Sequence, residues 1–124
     1  YYCIDNGLRS AVIMPQSNDN GKNLENSVFM HLYRNRMPSD KISYYEGNSE
    51  CDFVIQREES VVELIQVTWD MSDAETKERE IRGIIEASSA TGCDNMKIIT
   101  IDYEDVSYIE NIDVIPAWTW MSAL

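Results

Sequence analysis

Apolar and polar residues alternate along this chain with two different periods, and the switches between them divide it into elements. The densest stretch is Cys51–Asp70, CDFVIQREESVVELIQVTWD. β-Branched and aromatic residues crowd it on both sides of Glu58-Glu59-Ser60. That pattern predicts strands over Cys51–Arg57 and Val61–Trp69, joined by a polar turn. Side chains alternate across a strand, so Asp52 and Val54 are expected on one face and Cys51, Phe53 and Ile55 on the other. On the second strand Leu64, Gln66 and Thr68 share a face, opposite Ile65, Val67 and Trp69. A carboxylate on one strand then falls near two polar groups on the next, a small polar site in an apolar sheet.

The remaining elements follow in order. Tyr1–Ile4 is a short strand candidate ended by Asp5-Asn6-Gly7. Leu8–Met14 is weakly helical or extended, and PQSNDN from Pro15 to Asn20 reads as a loop. Asp19 or Asn20 caps a helix running from near Gly21 to about Arg36, where Leu24, Val28 and Leu32 recur four apart beside Phe29 and Tyr33. Glu25 borders that stripe, and Pro38 stops the helix. Lys41–Tyr45 is a strand and Gly47-Asn48 a turn.

After Asp70 the period changes. Ser72-Asp73-Ala74-Glu75 predicts a capping box for a helix reaching about Ala90, with Ile81, Ile84, Ile85 and Ser88 inward and Gly92 closing it. Glu75–Arg79 and Glu78–Arg82 stand as i,i+4 pairs on its wet side. Lys97–Asp102 reads as a strand buried on both faces. Ile112–Trp120, which contains Pro116, reads as an edge or terminal strand. Helix, three strands, helix, strand, strand argues an α/β (α+β) domain, a central mixed sheet flanked by helices.

Composition narrows the function classes. With 124 residues the chain is long enough for one domain with its own core, and 44% hydrophobic with 26% charged residues is ordinary for a folded protein. The net charge of −12, from 22 acidic and 10 basic residues, disfavours broad salt-driven binding to nucleic acid. Cys3, Cys51 and Cys93 lack CxxC spacing and read as reduced thiols of a cytoplasmic protein. No apolar run is long enough for a membrane span. The opening Tyr-Tyr-Cys-Ile, without an initiator Met, suggests a domain excised from a longer polypeptide.

Four segments in order carry a resemblance. They are GKNLENSVFMHLYR from Gly21 with Ile42-Ser-Tyr-Tyr, then Cys51-Asp-Phe-Val-Ile, then Leu64-Ile-Gln-Val. Together they resemble the PD-(D/E)xK nuclease-like superfamily. More narrowly, they resemble the domain of unknown function that follows the ATPase core of prokaryotic AAA-type ATPases. The resemblance spans nearly the whole chain and implies a restriction-endonuclease-like fold. It puts Glu25 as the outer acidic residue, Asp52 as the metal-binding aspartate and Gln66 where the second acid stands. The Val67 backbone carbonyl would complete the metal ligands.

Thr68 takes the lysine's position, a departure from the pattern. Hydrolysis at such a site needs Mg²⁺ or Mn²⁺ held by carboxylates, with a lysine orienting the attacking water. A neutral Gln66 weakens metal binding, and removing one transition-state donor costs on the order of 10²–10³ in rate. Lys22 and Lys41 are the nearest substitutes by sequence.

The resemblance therefore implies a nuclease-like module attached to an upstream ATPase domain, catalytically impaired and serving interaction or regulation. The other readings are an active metal-dependent DNA or RNA nuclease and a domain that still grips one nucleic acid end without cutting it. ATP chemistry would belong to the upstream domain, since Gly21-Lys22-Asn23 is not a Walker A loop. Plainer roles stand beside these. Asp52 can be a solvated strand residue, Gln66 and Thr68 a polar cluster, and Glu25 a local pairing partner. His31 can be a satisfied or exposed histidine, the three tryptophans packing residues, and the α-helical glutamates after Glu75 a wet face.

Overall fold

The computed structural model describes residues 2–3, 20–69, 73–101 and 111–122. Within them the order is β1 (Tyr2–Cys3), α1 (Asn20–Asn35), β2 (Asp40–Glu46), β3 (Glu50–Arg57) and β4 (Ser60–Val67), followed by α2 (Ala74–Thr91), β5 (Met96–Thr100), β6 (Ile112–Pro116) and α3 (Ala117–Ser122). The expected segments at Leu8–Met14 and Pro15–Asp19 lie outside the described residues. So do Ser72 and the acidic linker before Asn111.

Strands β2 to β6 form one mixed sheet, extended at its β2 edge by the two residues of β1. Neighbours in the sheet are neighbours in sequence. The β1–β4 pairings are antiparallel, while β5 and β6 add parallel. The parallel step from β4 to β5 needs a crossover, and α2 supplies it. This is the α+β arrangement expected from the pattern: a mixed sheet with helices on both faces. Among the described residues no helix is long and apolar enough to cross a membrane.

Two cores sandwich the sheet. On one face Leu24, Val28 and Phe29 of α1 and Ala117 and Trp120 of α3 pack on Phe53, Ile55, Ile65, Val67 and Ile99. On the other, Ile84 and Ala87 of α2 pack on Val54, Leu64, Ile98 and Ile112, with Cys51 and Cys93 filling gaps. Burying side chains of this size contributes roughly 1.5–3 kcal/mol each before chain entropy is counted. Cys51 and Cys93 are free thiols, and burial pushes Cys51 up to about 12.

Several sequence expectations need correction. Cys51 does not share a face with Phe53 and Ile55 but lies with Val54 against α2. The reason is a bulge. Ser43 pairs with Val54 and Tyr45 with Cys51, so Tyr44 alone stands across from both Asp52 and Phe53. One extra residue resets the alternation and re-aims the side chains beside it.

The other differences lie at element ends and on α2. The cap of α2 is Asp73, whose carboxylate accepts the Thr76 amide at 3.0 Å and its hydroxyl at 2.7 Å. Ile85 faces solvent rather than the core. Gly83, with no side chain, takes an inward place and is buried. Arg79 pairs with its neighbour Glu80 at 3.7 Å, where a partner one turn away at Glu75 was expected. The final strand stops at Pro116, after which Ala117–Ser122 turns into a short helix that buries Trp120.

Candidate functional site

The site forms where β3 and β4 part. Backbone pairing between them runs from Arg57↔Ser60 back to Phe53↔Ile65 and goes no further. Beyond that pair two side chains take over the bonding. Val67 donates its amide N–H to Asp52 Oδ2 at 2.8 Å, and Asp52 donates its own N–H to Gln66 Oε1 at 2.8 Å. Asp52 and Gln66 thus continue the ladder in place of backbone. The bulge at Asp52–Phe53 is what lets the carboxylate reach across.

Gln66 is buried and makes three bonds. Its Nε2 donates to Glu50 O at 2.7 Å and to Glu80 O at 3.1 Å, in addition to the bond its oxygen accepts. Only one amide orientation satisfies this. The flipped one would set an oxygen against two carbonyls and an NH₂ against an N–H. Glu50 opens β3 and Glu80 lies on α2, so one side chain ties β4 to both. The helix comes this close because residue 83 is glycine. A Cβ there would lie 2.0 Å from Glu50 O and 2.7 Å from Gln66 Nε2.

Asp52 opens onto two hollows. One, of about 210 Å³, is lined by Glu25, Asn26, Phe29, Tyr44, Glu50 and Asp52, among others. The other, of about 390 Å³, is lined by Asn48, Glu50, Asp52, Gln66, Arg79, Glu80 and Arg82, among others. Of the residues singled out in sequence, Asp52 lines both hollows, Glu25 the first with it and Gln66 the second. Thr68 is buried at the end of β4, where its N–H donates to Ile99 O at 3.0 Å, and it lines neither hollow. Neither Lys22 nor Lys41 lines them.

Three contributors were missed in sequence. Arg79 and Arg82 supply cations from α2, and Glu80 turns inward although the glutamates of this helix read as a wet face. The signal for Glu80 was present: it stands one turn before Ile84, in line with the buried stripe.

The electrostatics follow from burial and crowding. Desolvation pushes Asp52 up to about 8, helped by the Glu25 charge and, less, by Glu80 and Glu50, while the Val67 amide pulls it back. Desolvation raises Glu80 as well, against the lowering effect of Arg79. Because the folded value of Asp52 lies above its unfolded one, the native state holds this proton more tightly. Its contribution is complete below about pH 4 and is lost as pH rises towards about 8.

Asn at this position keeps an acceptor for the Val67 N–H without the charge. The stability advantage of Asp52→Asn over the parent is expected to grow by about 1–3 kcal/mol between pH 5 and pH 8 in urea titrations. Identical pH slopes for the two chains would contradict this.

A divalent cation fits these donors poorly. The Gln66 oxygen faces the Asp52 N–H and one Asp52 oxygen faces the Val67 N–H. Among the described residues no three His, Cys, Asp or Glu side chains are grouped to hold a metal ion. No protein-family model, curated protein or solved structure matches this chain.

Proposed function

We propose that this chain is a nuclease-like domain of the PD-(D/E)xK kind whose catalytic pocket has become a structural joint. In this reading it serves a AAA-type ATPase, carried upstream on the same polypeptide, as an interaction or regulatory module. Three features support the ancestry: the helix, three-strand meander, crossover helix and parallel strand in that order; Asp52 at the parting of two strands; and Glu25 facing it from the first helix.

One observation carries the loss of chemistry. Gln66, in the second acid's place, uses its amide to bind two carbonyls and one N–H of the backbone. A carboxylate cannot make the two donations, so the residue suits a joint better than a metal ligand. Thr68 in the lysine's place points the same way.

A second reading, a metal-dependent nuclease, draws on Arg79 and Arg82. Both residues line the hollow with Asp52, and their cations could take over charge stabilisation. Incubation with Mg²⁺ or Mn²⁺ and labelled single- and double-stranded DNA and RNA separates the two. No cleavage above the level of an Asp52→Ala chain is expected. Cutting that Asp52→Ala abolishes would establish the nuclease and overturn the joint.

A further inference from the structure

At the far end of the sheet from Asp52, under the C-terminal turns of α1, lies a third hollow of about 430 Å³. It shares no lining residue with the two at Asp52. We propose that it binds a small amphipathic monoanion, a carboxylate carried on an aliphatic or aromatic body.

Its interior is built from Leu32, Ile42, Ile55, Val62, Ile115 and Trp120, drawn from two helices and four strands. A volume of this size with mainly apolar walls and a few placed polar groups is what small-molecule sites have in common. The walls take the apolar body, and the rim specifies the head.

That rim runs against the charge of the chain. In a protein of net charge −12, Arg36, Arg57 and Lys97 converge on one opening, opposed by Asp40 and Glu63. Three cations against two carboxylates leave one positive charge to be met, which suits a monoanion better than a phosphate dianion.

The cations are also held in place with donors remaining. Arg57 grips Asp40 through Nε at 2.8 Å and Nη2 at 3.1 Å, leaving Nη1 outside that fork. The pairing holds the Asp40 carboxyl below the usual range. Lys97 is bonded to Glu63 and, at 3.1 Å, to Asn95 Oδ1. Arg36 lies 3.8 Å above the Tyr33 ring and uses Nη1 on Tyr33 O, so the rest of its planar group is available. Guanidinium forks match carboxylates in shape as well as charge.

The site is independent of the nuclease-like reading and its test is separate. The purified chain is titrated calorimetrically with decanoate below its micellar concentration, and with decylammonium and decanol as matched bodies bearing the wrong head. One decanoate per chain is expected, bound at least about tenfold tighter than either control, the scale of one charge-assisted hydrogen bond. Arg36→Gln, at an exposed position outside both ion pairs, is expected to weaken decanoate by up to about fivefold. Val62→Phe, which fills the interior from a half-buried strand position, is expected to remove binding while thermal melting stays within a few degrees of the parent.

Three results overturn the proposal. The first is no heat at millimolar decanoate, and the second is equal binding of decanoate and decylammonium. The third is decanoate binding that neither variant changes.

Discussion

Gly83→Ala is expected to destabilise this protein by about 3 kcal/mol, although alanine is the better helix former. At an open helix position the exchange would stabilise by roughly 1 kcal/mol. Here the new methyl would sit 2.0 Å from a backbone oxygen, Glu50 O, which cannot rotate away. Either α2 withdraws from the sheet or the start of β3 moves. Both break the bonds that Gln66 makes to Glu50 and Glu80. Urea unfolding of the two chains measures the difference directly. Equal or greater stability for the alanine chain would contradict the close approach of α2 to the start of β3.

Gln66→Glu has a comparable effect by a different route. The substitution restores the acid of the nuclease pattern, yet it sets a carboxylate against two carbonyl oxygens now held at 2.7 and 3.1 Å. It also adds a fifth acidic side chain beside Asp52, Glu25, Glu50 and Glu80. Leaving a charge buried without a partner costs about 3–5 kcal/mol, and that loss is expected at pH 7.5. Part of it should return near pH 5, where a protonated carboxyl is neutral and can donate once. Denaturant midpoints at the two pH values test this. An undiminished midpoint at pH 7.5 would show that position 66 tolerates an anion, and the reading of the pocket as a joint would fall.

Much of the architecture could be read from the pattern of residues because the responsible signals are local. Period-two runs marked β3 and β4, a four-residue recurrence marked α1, and the apolar run read as Lys97–Asp102 marked a strand covered on both faces, found at Met96–Thr100. Asp52, Glu25 and Gln66 were singled out, and Asp52 lines one hollow with Glu25 and another with Gln66. What escaped depended on partners distant in sequence. The bulge at Asp52–Phe53 is a property of how β3 meets β2, and no residue there announces it. The inward turn of Glu80 and the close approach at Gly83 exist only once α2 lies across the sheet. Pro116 was read as an edge-strand residue, and it is one, but the helix beginning directly after it was hidden by the aromatic run Trp118–Trp120.

The order of strands has a consequence for how copies of this molecule meet. A sheet that repeats the chain order leaves its first and last strands on the outside, where unbonded amides can recruit another chain. On one side that margin is the two-residue β1. On the other it is β6, five residues long, with the Asp113 charge exposed at its second residue and an imino acid lacking an N–H at its close. The β6 border therefore offers only a short run of donors to template a neighbour, which blunts strand addition on that side of the described sheet.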